Sequence, residues 1–346
     1  MTKIHLESFG AGKPIVLVHG WAMHSGIWRD FARQLARNYK VICVDLPGHG
    51  HSEKIDPFTL EHISDQLVEI IPPNPPFSKG GANDQLVEII PPTPPFSKGE
   101  VKQAQFHETG CNGQSQFYAV DDQCSDQQSS PTFEKGGQRG ICWLGWSLGA
   151  TIALDIAGRY PERVSALILL AGNPLFTHSS TKRQPSIALD SGISEGMTAT
   201  STEQWPGMDV RLLDDFAEHL YENGQATLLR FLSLQVKNLP NHKVLLKQLR
   251  TAVLECAAPD QTTLQGGLNI LKNTDQRPVL SGLTMPVSVI LGSLDTLVPV
   301  ASGQKMQQLL PTLDLNIIDR AGHVPFLSHS GETLAIISRF MNEQCS

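Results

Sequence analysis

Gly145-Trp146-Ser147-Leu148-Gly149 lies between an apolar run, Ile141 to Leu144, and a helix-forming stretch, Ala150 to Tyr160. G-x-S-x-G at a strand-to-helix turn is the pattern of a nucleophile elbow. Small residues two positions either side of the serine let the backbone fold sharply, and the crowding pushes the hydroxyl out into a site. An isolated G-x-S-x-G is equally compatible with an ordinary loop. The flanks favour the elbow: β-rich residues precede it, helix formers follow it, and Pro161-Glu162-Arg163 closes the helix before the next apolar run, Val164 to Leu170. The chemistry implied is attack by the Ser147 hydroxyl on a carbonyl, as in a serine hydrolase.

A serine hydroxyl is a weak nucleophile at neutral pH, so it needs a histidine to take its proton and a carboxylate to orient that histidine. For this kind of elbow both should follow downstream in the order Ser, Asp, His. Asp295 follows the apolar run Val287 to Leu291, and His323 follows the next one, Leu315 to Ile318. Of twelve histidines, His323 is the one with this placement, and Asp319, four residues before it, reads instead as a solvated or turn-capping carboxylate. An oxyanion also requires two donors aimed at one point. One is expected from the backbone N–H of Leu148, at the start of its helix. The other is expected from the backbone N–H of Trp21, in the loop after Ile15 to Val18, with the indole forming part of an acyl pocket. His19 and the pair His49 and His51 lack a matching ligand set at metal spacing, so no metal and no organic cofactor is expected.

These residues must be positioned by a scaffold, and the chain supplies alternating elements. Buried-strand runs occur at Ile15 to Val18, Val41 to Val44, Ile141 to Leu144, Ala166 to Leu170, Val287 to Leu291 and Leu315 to Ile318. Helical patterns at Ile27 to Ala36, Leu60 to Ile71, Leu148 to Tyr160, Ser302 to Leu310 and Glu332 to Asn342 separate most of them. The expected fold is α/β, a mostly parallel, doubly wound sheet with a helical cap.

Two stretches break the alternation. Asp65 to Gly80 returns as Asp84 to Gly99 with a single change, Asn74 to Thr93. Two copies are too few for a solenoid and the Pro-Pro pairs stop helices, so the Pro-, Gly-, Ser- and Gln-rich stretch reads as a disordered surface insertion, dispensable for chemistry. The second stretch carries helical patterns at Asp209 to Asn223, Ala226 to Val236 and Lys243 to Glu255. The expected organisation is core over 1–71, insertion over 72–138, core with the elbow over 139–172, cap over 173–284 and core over 285–346.

The chain has 346 residues, is 40% hydrophobic and carries a net charge of −7, enough for a full core and against a nucleic-acid-binding role. No signal-like segment or bilayer-length run is visible, so a cytoplasmic protein without a membrane partner is expected, and a monomer. Six cysteines are scattered without C-x-x-C pairs and read as reduced thiols, Cys43 and Cys142 inside buried strands.

With these residues in hand, the chain resembles the α/β-hydrolase superfamily and, within it, the carboxylesterases of biotin synthesis that act on pimeloyl-[acyl-carrier protein] methyl ester. The resemblance spans nearly everything outside 72–138. It rests on Leu17 to Trp21, Val44 to Gly48, Trp143 to Gly149 and Tyr160 to Val164 at the superfamily level. It narrows on Trp21, Trp146 and two cap phrases, Arg230 to Gln235 and Gly266 to Lys272. It implies hydrolysis of the methyl ester of a pimeloyl chain borne by acyl carrier protein, the macromolecular partner.

Phe231, Leu234 and Trp21 are then candidate acyl-channel residues, with Leu148 and His323 also at the substrate, although Phe231 and Leu234 are equally compatible with plain core. Gly224 to Leu254 holds five basic residues and no acidic one. Arg230, Lys243, Lys247 and Arg250 therefore form a candidate face for the acidic carrier, with a solvated amphipathic face as the other reading. One basic position of the family is occupied here by Ala226. Two further functions stay open: a broad carboxylesterase on small free esters, and a noncatalytic binding protein on a hydrolase scaffold.

Overall fold

The computed structural model describes residues 2–72, 140–178 and 204–344. The 72–138 insertion, apart from Pro72, lies outside the described residues, as does the 179–203 part of the cap range.

Strands β1 (Leu6–Phe9), β2 (Lys13–Val18), β3 (Tyr39–Val44), β4 (Ile141–Trp146), β5 (Val164–Leu170), β8 (Val287–Gly292) and β9 (Asp314–Ile318) form one sheet in the order β1-β3-β2-β4-β5-β8-β9. Only β1 runs antiparallel, pairing Leu6 with Val44 and Phe9 with Val41. Central strands β4 and β5 are buried at every position, as continuous apolar runs with helices on both faces require. A minor two-stranded pair, β6 (Thr177–His178) and β7 (Met208–Asp209), stands apart.

Helices α1 (Arg29–Leu35), α2 (Leu60–Ile70), α3 (Leu148–Arg159), α9 (Val300–Leu309), α10 (Pro325–Ser328) and α11 (Ser330–Gln344) accompany the sheet. The expected helix over Ile27 to Ala36 begins as a 3₁₀ turn, Ser25–Trp28, capped by the His24 ring accepting from Gly26 N–H. The cap contains α4 (Val210–Glu222), α5 (Gly224–Gln235), α6 (His242–Leu254) and α7 (Gln261–Asn273). Four side-chain caps mark helix starts here and in the core: Thr59, Asp209, Asn223 and Asp260 each accept from a backbone N–H of the first turn. Helix α8 (Arg277–Ser281) falls in the 173–284 range but packs on α3 and α9, with the core.

Cys43 and Cys142 are buried and form no disulfide among the described residues, and burial pushes the Cys43 thiol well up. No helix among the described residues is long and apolar enough to cross a membrane.

Candidate active site

Ser147 links β4 to α3 with φ 56° and ψ −116°, a left-handed backbone that a residue with a side chain adopts only when its surroundings hold it. Those surroundings are backbone. Ser147 N–H donates to the Leu170 carbonyl at the end of β5, 3.1 Å away, and the Ser147 carbonyl accepts from Ala150 N–H at 2.9 Å. A side chain at Gly145 would strike the Gly149 carbonyl, and one at Gly149 would strike the carbonyls of Val18 and His19. The two glycines are therefore steric requirements of the turn.

Three turns leaving the carboxyl ends of β4, β8 and β9 bring three side chains together. His323 Nε2 lies 2.9 Å from Ser147 Oγ, and His323 Nδ1 lies 2.8 Å from Asp295 Oδ2. The other oxygen, Asp295 Oδ1, accepts from the backbone N–H groups of Leu297 (2.8 Å) and Val298 (3.0 Å). Ser147, Asp295 and His323 are all buried, at 3%, 8% and 1% exposure, so water screens their interactions little. With Nδ1 donating to Asp295, the Nε2 lone pair faces the hydroxyl, the arrangement that removes a proton from it. Asp319, in contrast, is open to solvent and accepts from Ser293 Oγ at 3.2 Å, in keeping with a turn-capping carboxylate.

Trp146, singled out in the sequence only as part of a resemblance, braces the histidine. Its indole N–H donates to the His323 carbonyl at 2.8 Å, and its ring packs edge-on to Trp28 and Phe326. The signal was an indole in a fully buried strand, where its N–H has to find an acceptor. From the other side, His323 N–H donates to the Gln235 carbonyl at the end of α5, 3.2 Å away.

Trp21 lies beyond the end of β2, and Gly20 before it packs so closely that a side chain there would meet the Trp146 ring and Ser147 Cβ at 3.0 to 3.3 Å. Leu148 opens α3, so its N–H has no intrahelical acceptor. Trp21 is buried, and its ring stands edge-on to Phe231, with centroids 4.8 Å apart. Phe231 in turn packs on Phe216. Leu234 is half-buried, and its carbonyl accepts from Thr296 Oγ1 at 3.4 Å, next to Asp295.

The loop carrying Trp21 is held from below by His19, whose Nδ1 donates to the Gly20 carbonyl (2.8 Å) while its Nε2 accepts from Leu46 N–H (3.0 Å). Burial, reinforced by His49, brings the His19 imidazole down to about 3, and burial brings His49 down to about 4. Both are neutral structural groups. Among the described residues, no group of three or more His, Cys, Asp or Glu is placed to hold a metal.

The four basic cap residues divide. Arg230 is ion-paired with Asp215 at 3.0 Å and lies over the Phe216 ring, contacts between α4 and α5 that sequence spacing could not reveal. Lys243, Lys247 and Arg250 line one groove of about 330 Å³ on α6, with Leu246 and Leu254, and make no ion pair among the described residues.

An α/β sheet with the nucleophile elbow, acid and base at its strand ends defines a class: the chain belongs to the alpha/beta hydrolase fold family, which matches residues 13–330. More particularly, it is 29% identical over 338 residues to the pimeloyl-[acyl-carrier protein] methyl ester esterase of Methylococcus capsulatus, with 98% of each chain covered. It is 30% identical over 329 residues to the enzyme of that name from Nitrosomonas europaea, covering 95% of each. Among solved structures, an esterase from Exiguobacterium antarcticum shares the fold at TM-score 0.65 and 18% identity, over 99% of this chain and 96% of that one. The enol-lactonase of Burkholderia xenovorans LB400 does so at TM-score 0.63 and 15% identity, over 99% and 97%. The near full-length similarity to the two curated esterases supports a carboxylic ester hydrolase, and the solved structures share the fold.

Proposed function

We propose that the protein is a serine carboxylesterase that hydrolyses the methyl ester of pimeloyl-[acyl-carrier protein], giving pimeloyl-[acyl-carrier protein] and methanol in biotin synthesis. The observation that carries the catalytic part is the hydrogen-bonded chain from Ser147 Oγ through His323 to Asp295. The substrate rests on the near full-length similarity to relatives of that name.

In the proposed cycle, His323 Nε2 accepts the Ser147 proton as Oγ attacks the ester carbonyl, and Asp295 stabilises the imidazolium. The N–H groups of Trp21 and Leu148 hold the oxyanion. Collapse of the intermediate expels methanol, which takes the proton back from His323 and leaves the acyl chain esterified to Ser147. Water then attacks with His323 again as base, releasing the carboxylate and restoring the serine. No cofactor enters these steps.

Trp21, Phe231 and Leu234 line the path of the apolar chain toward the surface. Lys243, Lys247 and Arg250, unpaired and grouped on α6, attract the acidic carrier, and Arg230 contributes less because Asp215 already neutralises it. On this reading the enzyme acts in the cytoplasm, as a monomer.

The test is kcat/KM for methyl pimeloyl-carrier protein beside a short p-nitrophenyl ester, at low and high salt, with Ser147→Ala as control. A carrier preference that weakens with salt is expected. Equal or better turnover of the small ester, insensitive to salt, would assign a broad carboxylesterase instead.

A further inference from the structure

The oxyanion loop is fastened to the cap. Trp21 Nε1 donates to the Leu264 carbonyl of α7 across 2.9 Å, a bond between residues 243 positions apart. One turn along the same helix face stands Gly267. A Cβ there would come within 2.6 Å of Trp21 Cδ1 and 3.0 Å of Nε1, and within 3.4 Å of Leu148 Cδ2. Helix α7 thus touches both residues whose N–H groups serve the oxyanion, and touches Trp21 through a notch that only a glycine leaves open.

The indole has little room to yield. Phe231 abuts it edge-on, and Trp21 is 1% exposed. Behind it, the chain reverses in a turn closed by Met23 N–H donating to the Gly20 carbonyl, with Ala22 at φ 59°. An alanine in the left-handed region is held there by its surroundings, so displacing the indole gives this turn a reason to relax. Helix α7 is itself seated on the core. Its N-cap Asp260 receives Lys54 at 3.2 Å, Thr263 packs against Gly48, and Gly266 packs against Phe58. The cap helix is therefore a fixed reference against which the loop is set.

We infer that Gly267 and the Leu264 carbonyl are positioning elements for the oxyanion site: through the Trp21 indole they set where the Trp21 backbone N–H points. The inference rests on the serine-esterase reading of Ser147. It differs from acyl-chain binding because it predicts a loss common to every ester, whatever the length of its chain.

The test measures Gly267→Ala and Trp21→Phe against the unaltered enzyme on short and long p-nitrophenyl esters, with the rate of fluorophosphonate labelling of Ser147 recorded in parallel. Both changes are expected to lower kcat by about 10-fold on short and long esters alike, with KM within about 2-fold, since a complete loss of one oxyanion donor costs roughly 10²–10³. Labelling should slow by a similar factor, because the phosphonyl oxygen uses the same donors. The double variant should be no worse than the more impaired single one, as both act through the Trp21 indole. Unchanged kcat and labelling in either folded variant would overturn the inference, as would a rise in KM alone or a loss confined to long esters. If Gly267→Ala fails to fold by circular dichroism, Trp21→Phe, which keeps an aromatic ring and removes the N–H donor, decides the matter alone. Failure of the unaltered enzyme to label would strike the reading of Ser147, a result distinct from equal labelling of enzyme and variants.

Discussion

Ser147, Asp295 and His323 stand on turns leaving parallel strands of one sheet, whereas Trp21 and Phe231 meet where the helical cap descends on that sheet. The floor of the site is tied by backbone. The elbow hangs from β5 through Leu170, and Asp295 is fixed by two N–H groups of its own turn. The roof is tied by side chains over long sequence separations: Trp21 to Leu264, Arg29 to both oxygens of Glu255, and Lys54 to Asp260. Changes to the floor should therefore abolish chemistry while sparing the fold, and changes to the roof should alter which substrate is used and how fast.

The largest effect expected is on the floor. Ser147→Ala or His323→Ala should lower kcat by about 10⁴–10⁶-fold, and Asp295→Asn by about 10⁴-fold, with unchanged circular dichroism. Retention of more than a tenth of kcat in any of the three would remove that residue from the chemistry.

On the roof, reversing charge at Lys243, Lys247 and Arg250 together should reduce kcat/KM for the carrier-borne ester by about 10–100-fold at low salt. Turnover of a small ester should stay the same, because the groove on α6 touches none of the reacting groups. Equal losses on both substrates would mean that α6 matters only for the fold. Arg230→Ala offers a sharper contrast, since its Asp215 partner predicts a smaller carrier-specific effect than Lys247→Ala.

Phe231→Ala acts within the roof, where its ring supports Trp21. It should destabilise the protein by about 3–5 kcal/mol, the usual cost of emptying an aromatic core site. It should also lower kcat/KM several-fold more on long acyl esters than on short ones. Identical effects on both would leave Phe231 as core alone.

The smallest expected effect is on pH dependence, and it belongs to the loop between floor and roof. In the folded chain His19 and His49 protonate only near 3 and 4, below their ordinary 6.5, because both are buried. The unfolded chain binds protons at these sites from about 6.5 downward, so their contribution to stability is complete above that value and lost as pH falls toward 4 and 3. Melting temperature should decline across that window, and His49→Gln should flatten the decline. A variant with an unchanged slope would show that His49 titrates in the fold.

How legible these regions were in the sequence follows the same division. Strands β4, β8 and β9 lead into the elbow, the Asp295 turn and the His323 turn, and the first two are fully buried while β9, read as a buried run, carries Asn316 and leaves Ile317 exposed, so the floor could be read locally from strand-like runs. Helix α7 is not legible as a helix, because Gly266-Gly267 and its Thr and Asn residues have low helical preference. Its local signal was the N-cap Asp260 accepting from Thr263 N–H, and its stability comes from packing each glycine against an aromatic ring of the core. The pairing of Arg230 with Asp215 and the bond from Trp21 to Leu264 join separate elements, and no local pattern carries them.

The proposed chemistry depends first on Ser147 as the nucleophile. The most direct measurement treats the protein and its Ser147→Ala variant with a fluorophosphonate, then locates the adduct by mass spectrometry of the peptides. A single adduct on Ser147, absent from the variant, is the predicted result. No adduct, or one that persists in the variant on another residue, would contradict it and leave a hydrolase scaffold without a serine esterase.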